Sequence, residues 1–114
     1  MLGNEPVWID MECTGTSGEK YFGRFQVKRY LTHKERAEAV RLSETLCRGI
    51  TDDVNMRAFL TTAAFLSVHI TEVDAKWWGD RGLDLVDEEP IWELAKKIRE
   101  VQRPATDDKK EQKQ

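Results

Sequence analysis

Cysteine and histidine are scarce in this chain, and their scarcity argues against disulfide-stabilised and metal-binding classes. The 114 residues include two cysteines and two histidines. Cys13 and Cys47 lie far apart and fit no metal-ligand spacing, and a small disulfide framework usually needs more cysteines. Both are therefore predicted to be reduced thiols.

The histidines do not suggest a metal site either. His33 and His69 have no second histidine or cysteine three or four residues away, as a helical zinc face would require. The nearest candidate set is His69 with Glu72 and Asp74, a spacing that chance explains equally well. We interpret both histidines as packed or solvent-facing, and we expect no metal and no other cofactor.

Long apolar runs and an excess of basic residues are also missing. No apolar stretch approaches the roughly 20 residues of a membrane helix, and no hydrophobic run follows a basic start, so we expect no signal peptide and a cytosolic protein. The net charge of −3 argues against non-specific nucleic-acid binding, because such binding needs clustered cations. The stretch Lys28–Arg36 is interrupted by Glu35, so a small DNA-associated regulator is the least favoured alternative.

No catalytic constellation emerges from the sequence. The glycines form no phosphate-cradling pattern. The acidic clusters Asp52-Asp53 and Asp87-Glu88-Glu89 lie at predicted helix starts, where the helix dipole alone favours acids. We therefore predict that the chain is not an enzyme.

The N-terminal quarter alternates between apolar and polar residues, which predicts a β-hairpin over residues 7–28. A loop of about six residues, Gly15–Lys20, joins its two strands. The residues predicted to face inward are Val7, Ile9, Met11 and Cys13 on the first strand and Tyr21, Gly23, Phe25 and Val27 on the second.

The remainder predicts three amphipathic helices, at about 33–48, 53–73 and 88–103. Thr32 and Glu35 form a capping-box pattern at the first, Thr51 is expected to cap the second, and Asp87 is expected to cap the third. The predicted fold class is α+β, mainly α: a β-hairpin followed by a three-helix bundle. Residues 1–104 are predicted to form a single domain, and the charged residues 105–114 a disordered tail.

The chain has more bulky aromatic residues than the apolar faces of the predicted strands and helices account for. Trp77 and Trp78 lie where the chain reverses, and two interpretations stay open: a structural lid, or an anchor for a partner. Surplus exposed aromatics usually mark a protein contact. The predicted protein-binding residues are Trp8, Phe22, Phe25, Trp77, Trp78 and Trp92.

Three short motifs carry a resemblance to a known family. They are Gly23–Lys28 (G-R-F-Q-V-K), which leads into the capped helix, the Trp77-Trp78 pair, and Gly82–Asp87 (G-L-D-L-V-D) before the last helix. With these motifs, residues 21–101 resemble small tail-assembly chaperones of tailed bacteriophages.

The resemblance implies a non-enzymatic role in virion morphogenesis. Chaperones of this kind bind the tape-measure protein and recruit tail-tube subunits in the host cytoplasm. The main alternative is a structural virion component: a capsid-associated, head–tail connector or minor tail protein. In either case the expected partners are phage structural proteins (tape-measure, tail tube or capsid), and self-association into a homo-oligomer stays open.

Overall fold

The computed structural model describes residues 5–102, and its first elements are two antiparallel strands. Strand β1 spans Val7–Thr14 and β2 spans Lys20–Val27. Val7 faces Val27 and Thr14 faces Lys20, so the pairing is continuous along both strands. The alternating residues predicted to face inward are buried or half-buried, and the intervening ones are mostly exposed. The predicted hairpin is confirmed.

A third strand, β3 at Ile70–Asp74, pairs antiparallel with β2 and gives a sheet of order β1-β2-β3. The prediction of helix through residue 73 was therefore wrong in its last turn. The stretch Ile70–Val73 contains three β-branched residues, which favour extended backbone. The Lys28 N–H also donates to the carbonyl of His69 (2.8 Å), where the helix ends.

The first two helices pack on each other. Helix α1 spans His33–Leu46 and begins with the predicted capping box of Thr32 and Glu35. Helix α2 spans Val54–His69, and its N-cap is Asp53 rather than Thr51. Between the helices, Gly49 adopts a φ of 82°, a conformation that glycine tolerates better than other residues.

Helix α3, Glu89–Gln102, packs on both β1 and α2. It thereby closes a hydrophobic core between the inner face of the sheet and the helices. The buried members of this core are Ile9, Met11, Phe25, Val27, Leu66, Trp78, Ile91, Leu94 and Ile98.

The predicted α+β class is confirmed, with one strand more than expected. The sheet forms one wall of the core, so α3 is covered by β1 as well as by α2. The predicted disordered tail, residues 105–114, lies outside the described residues. Within residues 5–102, no helix is both long and apolar enough to cross a membrane.

Candidate functional site

The candidate site is the face of the sheet that points away from the core, here called the outer face. Strand alternation places on it the side chains that oppose the core residues. No element among residues 5–102 covers this face, and nearly all of its residues are exposed. The outer face consists of Trp8, Asp10, Glu12 and Thr14 on β1, Lys20, Phe22, Arg24 and Gln26 on β2, and Glu72 and Asp74 on β3.

Two large aromatics stand on the outer face. Trp8 is 44% exposed and Phe22 is 59% exposed. The Arg24 guanidinium lies 4.9 Å from the centroid of the Trp8 ring, within cation–π range. Its Nε also donates to Asp10 Oδ1 at 3.0 Å. These contacts hold the Trp8 side chain from one side without covering it.

A shallow basin of about 550 Å³ lies beside Phe22, and Trp8 is not part of its lining. Its lining combines carboxylates of β1 and β3 with apolar surface from Phe22 and Gly23. Of the charged groups in the basin, Asp10, Glu12 and Asp74 are acidic, and Arg24 and Lys97 are basic. The outer face as defined above carries four acids, one arginine and one lysine, so it is acidic and aromatic together.

Trp77 ties the outer face to the rest of the fold. Its indole N–H donates to the Phe22 carbonyl at 2.7 Å. This bond follows the Arg24–Asp74 pair, which is the last pair between β2 and β3. The close approach requires glycine at position 23, since a Cβ there would lie 2.6 Å from Ala75 Cβ. Trp77 is half-buried and packs edge-on against Tyr21, with ring centroids 5.6 Å apart. These contacts agree with the interpretation of Trp77 as a structural lid rather than as an anchor for a partner.

Two of the predicted binding residues belong to the core, which corrects the sequence prediction. Phe25 is fully buried and Trp78 is 9% exposed, so neither can anchor a partner on this surface. Their rings pack edge-on with centroids 5.6 Å apart. The physical reason is the turn Lys76–Trp78, a short 3₁₀ helix that folds both tryptophans back onto Phe25.

Trp92 lies in the helical layer and is not brought together with Trp8 and Phe22. It is 38% exposed, and its ring packs edge-on against Phe59 of α2 at 6.0 Å. Its indole N–H donates to a carboxylate oxygen of Glu88, one turn earlier, at 3.1 Å. Of the six predicted residues, the outer face therefore contains Trp8 and Phe22.

Asp87 holds the β1–β2 turn in place, a role that its sequence position did not indicate. Its carboxylate accepts from the Ser17 N–H (3.0 Å), the Ser17 hydroxyl (2.6 Å) and the Tyr21 hydroxyl (2.8 Å). The bonds from Ser17 and then Tyr21 hold the pKa of Asp87 below its usual value. The same bond to Asp87 raises the pKa of Tyr21 to about 12. Thr16 also donates to Glu89, the first residue of α3.

His69 has a structural partner at the end of α2. Its Nδ1 lies 2.7 Å from the Lys28 carbonyl, an arrangement in which Nδ1 must donate. Burial lowers the pKa of His69. Among residues 5–102, no three histidine, cysteine or acidic side chains cluster closely enough to hold a metal ion.

The structure also describes the state of the two cysteines and the ion pairing within the basic stretch Lys28–Arg36. Cys13 and Cys47 are free thiols, and burial raises the pKa of Cys13, which disfavours the reactive thiolate. In the basic stretch, Lys28 forms an ion pair with Glu35, which lowers the pKa of Glu35 to about 2. That ion pair reduces the cationic character of the Lys28–Arg36 stretch.

Comparison of the chain with protein-family models, with curated proteins and with solved structures found no match.

Proposed function

We propose that this chain is a non-enzymatic protein-binding domain, and that it acts as a tail-assembly chaperone of a tailed bacteriophage. In this role its outer face holds segments of the tape-measure and tail-tube proteins in the host cytoplasm. The observation that carries the proposal is that Trp8 and Phe22 are both exposed on a sheet face that no element among residues 5–102 covers, with Phe22 lining an acidic basin.

The energetics of protein contacts support this use of the outer face. Tryptophan dominates many binding interfaces because its large ring loses considerable apolar surface to a partner. Trp8 already has its orientation restricted by Arg24, and the carbonyl of Phe22 is fixed by Trp77. A preorganised surface loses less conformational entropy on binding than a flexible one.

The choice of phage partners rests on the sequence motifs. Of the three motifs that carry the family resemblance, Gly23–Lys28 and Trp77-Trp78 border the outer face: Gly23 and Arg24 line the basin, and Trp77 contacts Phe22. Two of the three motifs therefore have residues in or beside the proposed binding surface.

Co-expression tests this proposal. The chain would be produced together with the tape-measure and tail-tube proteins encoded in the same genome, and complexes would be purified through a tag on the chain. We expect the tape-measure protein to co-purify, and its soluble yield to fall when Trp8→Ala and Phe22→Ala are combined. Trp92→Ala, which alters an exposed tryptophan outside the outer face, is the matched control. If neither the tape-measure protein nor the tail-tube protein co-purifies with the wild-type chain, the proposal is overturned.

A second candidate is a structural virion component whose sheet joins that of a neighbour. The edge of β1 that no strand among residues 5–102 pairs with favours it, because exposed strand edges readily accept another strand. Mass spectrometry of purified particles distinguishes the two. A chaperone is absent from finished virions, whereas a structural component is present in fixed stoichiometry.

A further inference from the structure

The hydrogen bonds of β2 show which backbone N–H and C=O groups of β1 point outward at the edge of the sheet. The Phe22 carbonyl accepts from Trp77, and the Gln26 carbonyl accepts from the Thr71 hydroxyl at 3.1 Å. Both donors lie on the β3 side of β2, so the backbone groups of Phe22 and Gln26 point toward β3. Their partners across the hairpin are Glu12 and Trp8.

In an antiparallel pair, residues that do not exchange hydrogen bonds alternate with residues that do. Because Phe22 and Gln26 point away from β1, Glu12 and Trp8 belong to non-hydrogen-bonded pairs, and so does Asp10 between them. The N–H and C=O groups of these three residues therefore point away from β2. Among residues 5–102, no other strand pairs with β1.

The same three residues display their side chains on the outer face. An incoming strand that used the free backbone groups would place alternate side chains beside Trp8, Asp10 and Glu12. Asp10 is already paired with Arg24, and Glu12 and Lys97 both line the basin. The Lys97 ammonium lies 4.0 Å from Glu100 on α3, so its charge is partly balanced elsewhere. The edge thus retains an acidic character.

A second copy of the chain is a poor occupant of this edge. Antiparallel pairing of β1 with itself about a two-fold axis near its centre would place Asp10 opposite Asp10, Asp10 opposite Glu12, or Glu12 opposite Glu12. Like charges directly opposite each other destabilise a strand pair. A partner strand with lysine or arginine at these positions would reverse the sign of that interaction and could also contact the Trp8 ring.

We propose that the β1 edge accepts an extended basic segment of the partner protein as a fourth strand, with alternate lysine or arginine side chains facing Asp10 and Glu12. This inference rests on the proposed function and specifies its partner: main-chain hydrogen bonds provide the register, and the acidic side chains select for charge. The partner segment is therefore expected to alternate basic with apolar or threonine residues over about six positions.

The first test uses a defined probe, an acetylated and amidated ten-residue peptide in which lysine alternates with threonine and valine. Amide hydrogen exchange followed by NMR reports each residue of β1 separately. In the free protein, the amides of Trp8, Asp10 and Glu12 should exchange faster than those of Ile9 and Met11. Saturation with the peptide should slow exchange at the former three by at least about tenfold. Unchanged exchange there at saturation would contradict the inference.

Controls separate backbone pairing from charge. The same peptide with N-methyl groups on the amides that face β1 should not bind, and a version with glutamate in place of lysine should bind at least about tenfold more weakly. Asp10→Pro removes one edge N–H while leaving the β1–β2 hydrogen bonds, since proline is tolerated on an edge strand. It should abolish binding, whereas Asp10→Ala, the matched charge variant, should only weaken it. Binding of the N-methylated peptide at full strength would overturn the inference whether or not the proline variant folds.

Failure of this inference and failure of the proposed function have different signatures. If the tape-measure protein co-purifies with the chain and loses binding on combined Trp8→Ala and Phe22→Ala, but not on Asp10→Pro, the outer face binds without strand addition. If no phage protein co-purifies with the wild-type chain, the proposed function itself fails.

Discussion

The two faces of the sheet both carry large aromatic side chains, but those on the inner face are buried and those on the outer face are exposed. On the inner face, Phe25 is fully buried and is enclosed by Trp77 and Trp78. On the outer face, Trp8 and Phe22 remain exposed. Because neighbouring residues of one strand alternate between the faces, Phe22 and Phe25 are only three positions apart in sequence yet have contrasting roles.

This difference shows how the same residue type stabilises the fold on one face and is left for a partner on the other. Burial of an aromatic ring in the core stabilises the folded chain by removing apolar surface from water. The outer aromatics contribute less of this kind, since Trp8 is still 44% exposed and Phe22 59% exposed in the folded chain. Mutations on the two faces should therefore separate stability from binding.

The largest expected effect is on the inner face. Phe25→Ala removes a fully buried ring and leaves a cavity beside Trp78, and it should lower the free energy of unfolding by about 3–5 kcal/mol. Urea denaturation followed by tryptophan fluorescence and circular dichroism measures this loss. Phe22→Ala on the same strand is the matched control. A loss of similar size in both variants would remove the distinction between the faces.

A smaller effect is expected at the residue that links the faces. Trp77→Phe keeps a ring on Phe25 but removes the indole N–H that donates to the Phe22 carbonyl. The loss of this hydrogen bond should lower the free energy of unfolding by about 1 kcal/mol. Trp92→Phe removes an exposed indole hydrogen bond to Glu88 and should cost less. The same denaturation experiment compares the two variants. Equal losses in the free energy of unfolding would show that the Trp77 bond stabilises the fold no more than the exposed Trp92 bond does.

The pH dependence of stability should report the attachment of the β1–β2 turn to Asp87. Because the folded-state pKa of Asp87 lies below its ordinary value of 3.8, this carboxylate stabilises the fold above pH 3.8, and that stabilisation disappears as the pH falls through the lower, folded value. Asp87→Asn should remove this part of the acid transition. Denaturation midpoints measured between pH 2 and 5 test it, and an identical pH profile in the variant would contradict it.

Tyr21 should show the corresponding alkaline effect. Its pKa is raised from 10 to about 12, so its stabilisation is complete below pH 10 and is lost as the pH rises toward 12. Phenolate absorbance followed through an alkaline titration should show one tyrosine that titrates late in the folded chain. In Tyr21→Phe that late titration should be missing, and its persistence would assign it to another tyrosine.

The smallest effect on stability is expected on the outer face. Combined Trp8→Ala and Phe22→Ala should change the free energy of unfolding by no more than about 0.5 kcal/mol per site, as for other surface positions. Denaturation curves under the conditions used for Phe25→Ala provide the comparison. A loss above 2 kcal/mol for the pair would mean that these rings support the fold.

Local sequence patterns predicted much of the architecture. The alternation from Val7 to Thr14 identified the inner and outer residues of β1, and the Thr32–Glu35 capping box identified the start of α1. These features depend on neighbours in sequence. Strand β3 was missed because it is five residues long and continues directly from α2, so the helical periodicity extended into it.

The candidate site was predicted only in part because its determinants are far apart in the chain. Trp8 and Phe22 followed from strand alternation. The pairing of Trp77 with Phe22 and of Asp87 with Ser17 joins residues separated by 55 and 70 positions, which no local pattern specifies. Phe25 lay on the predicted inner face, and its burial follows from the same alternation; its assignment to the binding surface disagreed with that rule.

The most direct test of the central claim is the affinity of the chain for the tape-measure protein, measured by isothermal titration calorimetry for variants that fold normally. Combined Trp8→Ala and Phe22→Ala should weaken binding at least about 30-fold, the cost of about 2 kcal/mol expected for hot-spot aromatics. Trp92→Ala should leave the Kd within about threefold of the wild-type value. An unchanged Kd in the double variant, with wild-type stability, would contradict the assignment of the outer face as the binding surface.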